Sequence, residues 1–242
     1  MSNEKKRFER TVLLIGEEKM ERLRQCRILL VGLGGVGSFA AEFLARAGVG
    51  HLTIADGDTV DITNINRQLP ALSSTVGQSK ARLMENRIRD INPDIQLRVL
   101  EEFLSPERMQ EIVREPYDYA VDCIDSLQPK LNFLSGAFQQ QMHVVSSMGA
   151  GGRTDATRIK ITDIGKTKDC PFALHVRKGL YKMGIRKGIT AVYSEEPADK
   201  NSVRFTDGTH FKRSFYGTIS YLPAAFGLHM ANYIVNHRIN AR

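Results

Sequence analysis

Residues 28–37 read Ile-Leu-Leu-Val-Gly-Leu-Gly-Gly-Val-Gly, an apolar run that enters a loop carrying Gly32, Gly34, Gly35 and Gly37. Glycines at this spacing after a buried strand allow a tight turn, close approach of backbone N–H groups to a phosphate, and close packing of the helix that follows. The N-terminus of that helix adds the positive end of a dipole. Asp56 ends the next apolar run and stands where folds of this kind hold a ribose hydroxyl. Arg67 and Lys80 follow, and Asp125 lies just past a later apolar run. The glycine loop alone serves a diphosphate. Two further cations and a carboxylate suit a triphosphate cleaved at its α-phosphorus, because charge then builds on the α-phosphoryl oxygens and on the departing pyrophosphate. Asp125 is the residue of this set that can hold Mg²⁺ across the phosphates.

The elements that must position these groups follow from the apolar pattern. Two short helices are expected within 7–24, then strands at 27–31, 52–55, 95–100, 119–123 and 144–148. Helices at 35–47, 78–91, 106–114 and 127–141 separate them. Such alternation predicts an α/β fold of Rossmann-like type, a mostly parallel sheet with helices on both faces. Ligands of these sheets bind beyond the carboxyl ends of the strands, which gathers Gly34, Asp56 and Asp125 at one edge. The run Gly149-Ala-Gly-Gly ends the alternation. A strand at 158–162 and a helix at 171–183 are expected next, then a mobile loop over 194–213. Residues 221–235 read as a core or interface helix, because His229 and Asn232 interrupt the only long apolar stretch.

The chain has 242 residues, 42% of them hydrophobic, enough for one α/β domain with a full core. Its three cysteines cannot form a disulfide framework, and the charged N-terminus lacks the apolar core of a secretory signal; both point to the cytoplasm and away from a membrane. The net charge of +7 is unevenly placed: 18 Lys/Arg face 20 Asp/Glu up to Ala150, whereas 14 face 7 between Gly151 and Phe215. The expected organisation is a nucleotide-binding half over 1–150 and a basic substrate-binding half over 151–242 of the same domain. A basic half suits a polyanion. The candidates to meet it are Arg153, Arg158, Lys166, Lys168, Arg177, Lys178, Arg186 and Lys187.

Several motifs agree in order: Gly-x-Gly-Gly-Val-Gly, then Asp56-Gly-Asp58 through Asn64, Arg67 and Gln68, then Val76-Gly-Gln-Ser-Lys80, then Asp122-Cys-Ile-Asp125. Together they resemble the E1-like adenylating superfamily. By position, the resemblance implies an E1-type adenylation fold, Asp56 on the ribose, Asn64, Arg67 and Lys80 on the phosphates, Asp58 and Gln68 beside the nucleotide, and Mg²⁺ on Asp125. Arg10 resembles the arginine that reaches the neighbouring subunit's ATP, which implies a homodimer. The paired Cys-x-x-Cys motifs that hold zinc in the sulfur-carrier activators are missing, so no zinc is expected.

Residues 146–158, 163–173 and 188–194 resemble the branch that acts on threonylcarbamoyladenosine in tRNA. The resemblance implies that ATP activates the threonyl carboxylate as an acyl-adenylate and that ring closure expels AMP, a net loss of water, with tRNA meeting the basic half. Cys170, before Pro171 and near Lys166 and Lys168, is a candidate acyl acceptor, its thiol placed at a helix N-terminus. Cys26 and Cys123 read as core. The glycine-rich backbone after Met148 offers oxygens to a monovalent cation, and a sulfur-transfer or cysteine desulfurase partner is associated with the family. Three other readings stay open: activation of the tail of a ubiquitin-like or sulfur-carrier protein with Cys170 as acceptor, an NAD-dependent oxidoreductase, and a non-catalytic nucleotide-sensing RNA-binding module.

Overall fold

The apolar runs Arg27–Val31 (β1), His51–Ala55 (β2) and Tyr119–Asp122 lie side by side as parallel strands in the computed structural model, which describes residues 6–205 and 214–241. With Gln96–Leu100 (β3), Tyr119–Asp122 as β4, His143–Ser147 (β5), Ile159–Asp163 (β6) and Ile189–Ser194 (β7), they form a seven-stranded sheet ordered β3-β2-β1-β4-β5-β7-β6. Every neighbouring pair is parallel except β6 with β7. The inner strands β1, β2, β4, β5 and β7 are buried on both sides because both faces are covered, whereas the edge strands β3 and β6 are partly exposed. Ile28 and Leu30 point into one core, with Leu44 of helix Gly37–Ala47, Met84 of helix Lys80–Ile91 and Phe226 of helix Tyr221–Asn240. Leu29 and Val31 point into the other, with Met109, Leu134 and Val176 of helices Pro106–Ile112, Leu127–Gln139 and Pro171–Lys182. In chain order the helices are α1 (Glu9–Ile15), α2 (Glu17–Arg24), α3 (Gly37–Ala47), α4 (Lys80–Ile91), α5 (Pro106–Ile112), α6 (Leu127–Gln139), α7 (Pro171–Lys182) and α8 (Tyr221–Asn240).

Local chemistry sets the boundaries. Ser79 and Ser105 cap α4 and α5 by accepting from the N–H groups of Arg82 and Arg108. Most expected elements are present with ends moved by a few residues: α3 starts at Gly37 rather than 35, α4 at Lys80 rather than 78, and α6 stops at Gln139. Three features differ more. Residues 189–194 form β7, a central partner of both β5 and β6. The stretch expected as a mobile loop contains Val203–Phe205 (β8), paired antiparallel with Ser214–Tyr216 (β9); residues 206–213 of that expectation lie outside the described residues. The last helix continues past 235 to Asn240, where Ile239 packs with Phe8, Met20 and Leu23. Among the described residues, no helix is long and apolar enough to cross a membrane.

Candidate active site

β1, β2 and β4 are adjacent in the sheet, so the loops leaving their carboxyl ends converge. Gly32 adopts φ +94°, and a Cβ there would lie 2.8 Å from the carbonyl oxygen of Cys123 after β4. A Cβ on Gly37 would fall 1.8 Å from the Gly32 carbonyl oxygen. These two glycines are required by the fold itself. Gly34 is different: a Cβ there meets nothing nearer than 3.8 Å, the Gln68 Nε2. Its lack of a side chain keeps open the approach to the loop's N–H groups. Gly35 is flanked by Pro223 of α8 and by Arg67, whose Cγ would lie 3.5 Å from an added Cβ. Ser38 Oγ donates to the Gly34 carbonyl at 2.6 Å and fixes the loop to the first turn of α3.

Asp56 continues this surface. The Leu33 N–H donates to its Oδ2 at 2.6 Å and the Asp58 N–H to its Oδ1 at 2.8 Å. Burial pushes the Asp56 pKa above the ordinary aspartate value, against the pull of those two N–H bonds and of Lys80. Lys80 opens α4, is buried, and donates to Asp58 Oδ2 at 2.9 Å. Asn64 is buried in the turn Ile62–Asn64, with its Oδ1 accepting from the Asp61 N–H at 3.2 Å. Arg67 is half-buried; its Nη1 donates to the Thr63 carbonyl and to Asn66 Oδ1, both at 2.9 Å. Burial lowers the Arg67 pKa, and the charge of the Asp125 carboxylate opposes that shift. Asp125 is exposed. Gln68 Oε1 is buried with no hydrogen-bond partner among the described residues, an orphaned acceptor beside the phosphate loop.

Arg10 stands apart. It lies on α1, two residues beyond Phe8, which packs against Ile239 at the far end of α8, whereas Pro223 near the start of α8 touches Gly35. At ~1.5 Å of rise per residue those two ends of the helix are roughly 24 Å apart. The chain's own phosphate loop is therefore remote from Arg10, while Leu13 and Leu14 beside it are exposed.

The basic half is corrected most at Arg153. It is buried, and its guanidinium donates to the carbonyls of Gly149 (2.6 Å), Gly151 (3.3 Å) and Glu196 (2.6 Å). It closes the glycine-rich loop rather than facing a polyanion. It also takes two of the carbonyls expected to be available to a monovalent cation. Glu196 completes the closure by accepting from the Thr154 and Asp155 N–H groups. The other candidates spread down the β6 side of the sheet. Arg158 sits at the nucleotide edge, where Ile159 pairs with Ser194, and Lys166 follows the opposite end, where Asp163 pairs with Thr190. Arg186 and Lys187 precede β7 at that same end, and Lys178 is exposed on α7. A cleft of about 790 Å³ lies between, lined by Lys160, Lys166, Lys168 and Arg177 with Tyr193 and Glu195. Lys160 was not anticipated. Arg177 is half-buried and donates to the Thr167 carbonyl at 2.7 Å.

Cys170 occupies the cap position before Pro171, as its neighbours suggested, but its side chain is buried in the core with Met148, Ile164 and Ala173. An acyl-accepting thiol needs access and an electropositive setting; this one is covered. Cys26 is a core residue as read, Cys123 packs half-buried against that core, and burial pushes both thiols up, Cys26 to about 12. The sequence reading missed Lys130, fully buried on α6 and paired with Asp122. Its signal was present: a lysine three residues after Leu127 and four before Leu134, on the apolar face of the helix.

Comparison with known proteins bears on the fold and the family. The ThiF family model matches residues 8–239. The chain is similar to the tRNA threonylcarbamoyladenosine dehydratase of Bacillus subtilis (strain 168), at 45% identity over 78% of this chain and 74% of that protein. It is similar to that of Haemophilus influenzae at 35% identity over 98% and 94%. The crystal structure of Escherichia coli tRNA N6-threonylcarbamoyladenosine dehydratase, TcdA, in complex with ATP superposes with a TM-score of 0.87 at 33% identity, covering 97% of this chain and 94% of that one. The chain therefore has an E1-like adenylating fold and belongs to the ThiF family, among relatives named tRNA threonylcarbamoyladenosine dehydratases.

Proposed function

We propose that the protein uses ATP to dehydrate threonylcarbamoyladenosine in tRNA. The observation that carries this is the convergence of two cations, Arg67 and Lys80, with Asp56 and Asp125 around a glycine loop that keeps Gly34 open. It joins the names and the ATP-bound structure of the relatives. A carboxylate is a poor electrophile because hydroxide leaves badly. A threonyl carboxylate oxygen attacks the α-phosphorus, the bond to pyrophosphate breaks, and a mixed anhydride with AMP results. A urea nitrogen of the modification then attacks the acyl carbon, loses its proton and expels AMP. Closure is intramolecular, so positioning supplies much of the rate. No protein nucleophile is required, in keeping with the covered Cys170.

Arg67 and Lys80 hold the α-phosphoryl and pyrophosphate oxygens as charge develops there. Lys80 is held ready by Asp58 and has two further N–H donors. Gln68 Oε1 and Asn64 line the same shelf. Among the described residues there is no cluster of three His, Cys, Asp or Glu side chains that could hold a metal by themselves. That suits Mg²⁺, which binds through one carboxylate, substrate phosphates and its own waters. Asp125 would hold it, and the ion would neutralise phosphate charge. Arg158, Lys160, Lys166, Lys168, Arg177, Lys178, Arg186 and Lys187 form the track for tRNA phosphates. Arg10 completes the active site of a second copy in a homodimer, with Leu13 and Leu14 in the contact. The setting is the cytoplasm.

The test is AMP formation by the purified protein with ATP and three acceptors: tRNA bearing the modification, the same tRNA without it, and a carrier protein ending in Gly-Gly. AMP with the first alone supports the reading. AMP with the third alone overturns it.

A further inference from the structure

Beneath the turn that carries Asp125 lies a buried ion pair that the reaction above leaves without a task. Lys130 and Asp122 are both fully buried. Lys130 Nζ donates to Asp122 Oδ2 at 2.5 Å, to the Ser147 carbonyl at 3.0 Å, and at 3.5 Å to Ser146 Oγ, which itself donates to Asp122 Oδ2 at 2.5 Å. Apolar residues of similar volume commonly serve stability as well as a buried pair does. What this pair supplies is direction, since three acceptors fix three ammonium protons.

Those directions lead to both halves of the site. Asp122 Oδ1 accepts from the Ile124 N–H at 3.1 Å, which shapes the turn leading to Asp125. The intervening Cys123 carbonyl lies against Gly32 of the phosphate loop. On the other side, Ser147 ends β5 and leads into the loop closed by Arg153. The ammonium also stands 5.7 Å from the centre of the Phe172 ring. Phe172 lies in the first turn of α7, the helix that bears Arg177 and Lys178, and its Cβ is 3.5 Å from where a Cβ of Gly149 would stand. One buried cation therefore joins the nucleotide turn, the glycine-rich loop and the start of the basic helix.

We infer that Lys130 is a positioning residue that sets the Asp125 turn against the Gly149–Arg153 loop and α7, so that the acceptor carboxylate meets the α-phosphorus in line. This rests on the carboxyl-adenylation reading. It concerns the alignment of two bound substrates and not the affinity for either.

The test is the double variant Asp122→Asn/Lys130→Met, which removes both charges at nearly constant volume and retains an acceptor for the Ile124 N–H. Thermal unfolding, the ATP dissociation constant, and KM and kcat for AMP formation with modified tRNA are compared with the parent protein. The expected result is native-like unfolding and ATP affinity, an unchanged KM for tRNA, and a kcat lower by about 10- to 100-fold, the scale of an ångström-sized misplacement. A native kcat overturns the inference, since the network is then only structural. A loss of ATP affinity matching the loss of kcat overturns it too, since Lys130 then serves the nucleotide site alone. Should the double variant fail to fold, Ser146→Ala removes one hydroxyl from the same carboxylate; it predicts a smaller fall in kcat at native KM, and a native kcat there overturns the inference. A parent protein that forms no AMP with modified tRNA refutes the proposed function instead, a result that reads differently from any of these.

Discussion

Two glycines of one loop should respond in opposite ways to the same added methyl group. At Gly37 a Cβ would fall 1.8 Å from the Gly32 carbonyl oxygen and 3.0 Å from Cys123 Cβ, neither of which is the free end of a flexible chain. The helix must move away from the strand by about 1 Å or more, an overpacking that costs roughly 1–3 kcal/mol. The better helix propensity of alanine returns at most ~1 kcal/mol. For a domain of this size that net loss lowers the melting temperature by a few degrees, on the order of 2–4 °C per kcal/mol. At Gly34 the nearest atom is 3.8 Å away and φ is not positive, so Gly34→Ala should unfold within about 0.5 kcal/mol of the parent protein, as surface changes do. On the proposed reading, its methyl group would instead stand in the way of a phosphate. Losing one charge-assisted hydrogen bond costs about 1.5–3 kcal/mol, so ATP affinity should fall by roughly 10- to 150-fold. Thermal unfolding and ATP titration on both variants measure the two quantities. If Gly34→Ala melts as early as Gly37→Ala, or binds ATP normally, the assignment of one glycine to the fold and the other to the ligand is wrong.

Asp56 should make nucleotide binding sensitive to acid. Its pKa is raised by burial, so ATP binding should weaken as pH falls through a value above the ordinary aspartate range, and Asp56→Asn should bind weakly with a flat pH profile. The fold should survive that titration: a carboxyl whose folded pKa exceeds its unfolded one favours folding on the acid side, and this contribution is lost as pH rises through the folded value. Arg153→Ala should lower stability by about 1–3 kcal/mol, because buried carbonyls lose their donor, and should leave the salt dependence of tRNA binding unchanged. Lys166→Ala or Lys168→Ala should do the reverse, each reducing the slope of log affinity against log salt by about 1 with stability intact. Mixing inactive Arg10→Ala and Arg67→Ala proteins should restore about a quarter of parental activity if subunits exchange, since half of the dimers would carry one complete site; no recovery would place Arg10 outside its partner's site.

The parts of the site legible in the sequence were those that local rules govern. Gly32, Gly34 and Gly37 follow a strand at a fixed spacing, and Asp56 and Asp125 stand at strand ends, so strand order alone brings them together. What charge counting missed was the difference between a solvated cation and one spent on the fold. Arg153 adds to the basic excess exactly as Arg158 does, yet three backbone carbonyls hold it inside. The place of Lys130 on the apolar face of α6 signalled its burial, but its partners Asp122, Ser146 and Ser147 come from β4 and β5, and nothing local to α6 names them. Cys170 was read correctly as a cap position, but whether a cap side chain faces solvent depends on what packs over it, here Met148 and Ile164. β8 and β9 are three residues each and, among the described residues, pair with one another alone, too short for a period to show.

The central claim is that the threonyl carboxylate becomes an adenylate. It is tested most directly by supplying tRNA whose threonyl carboxylate carries heavy oxygen and weighing both products. The account predicts one labelled oxygen in every AMP released and a modified nucleoside lighter by one labelled water. Unlabelled AMP, or ADP with labelled phosphate in its place, would contradict it.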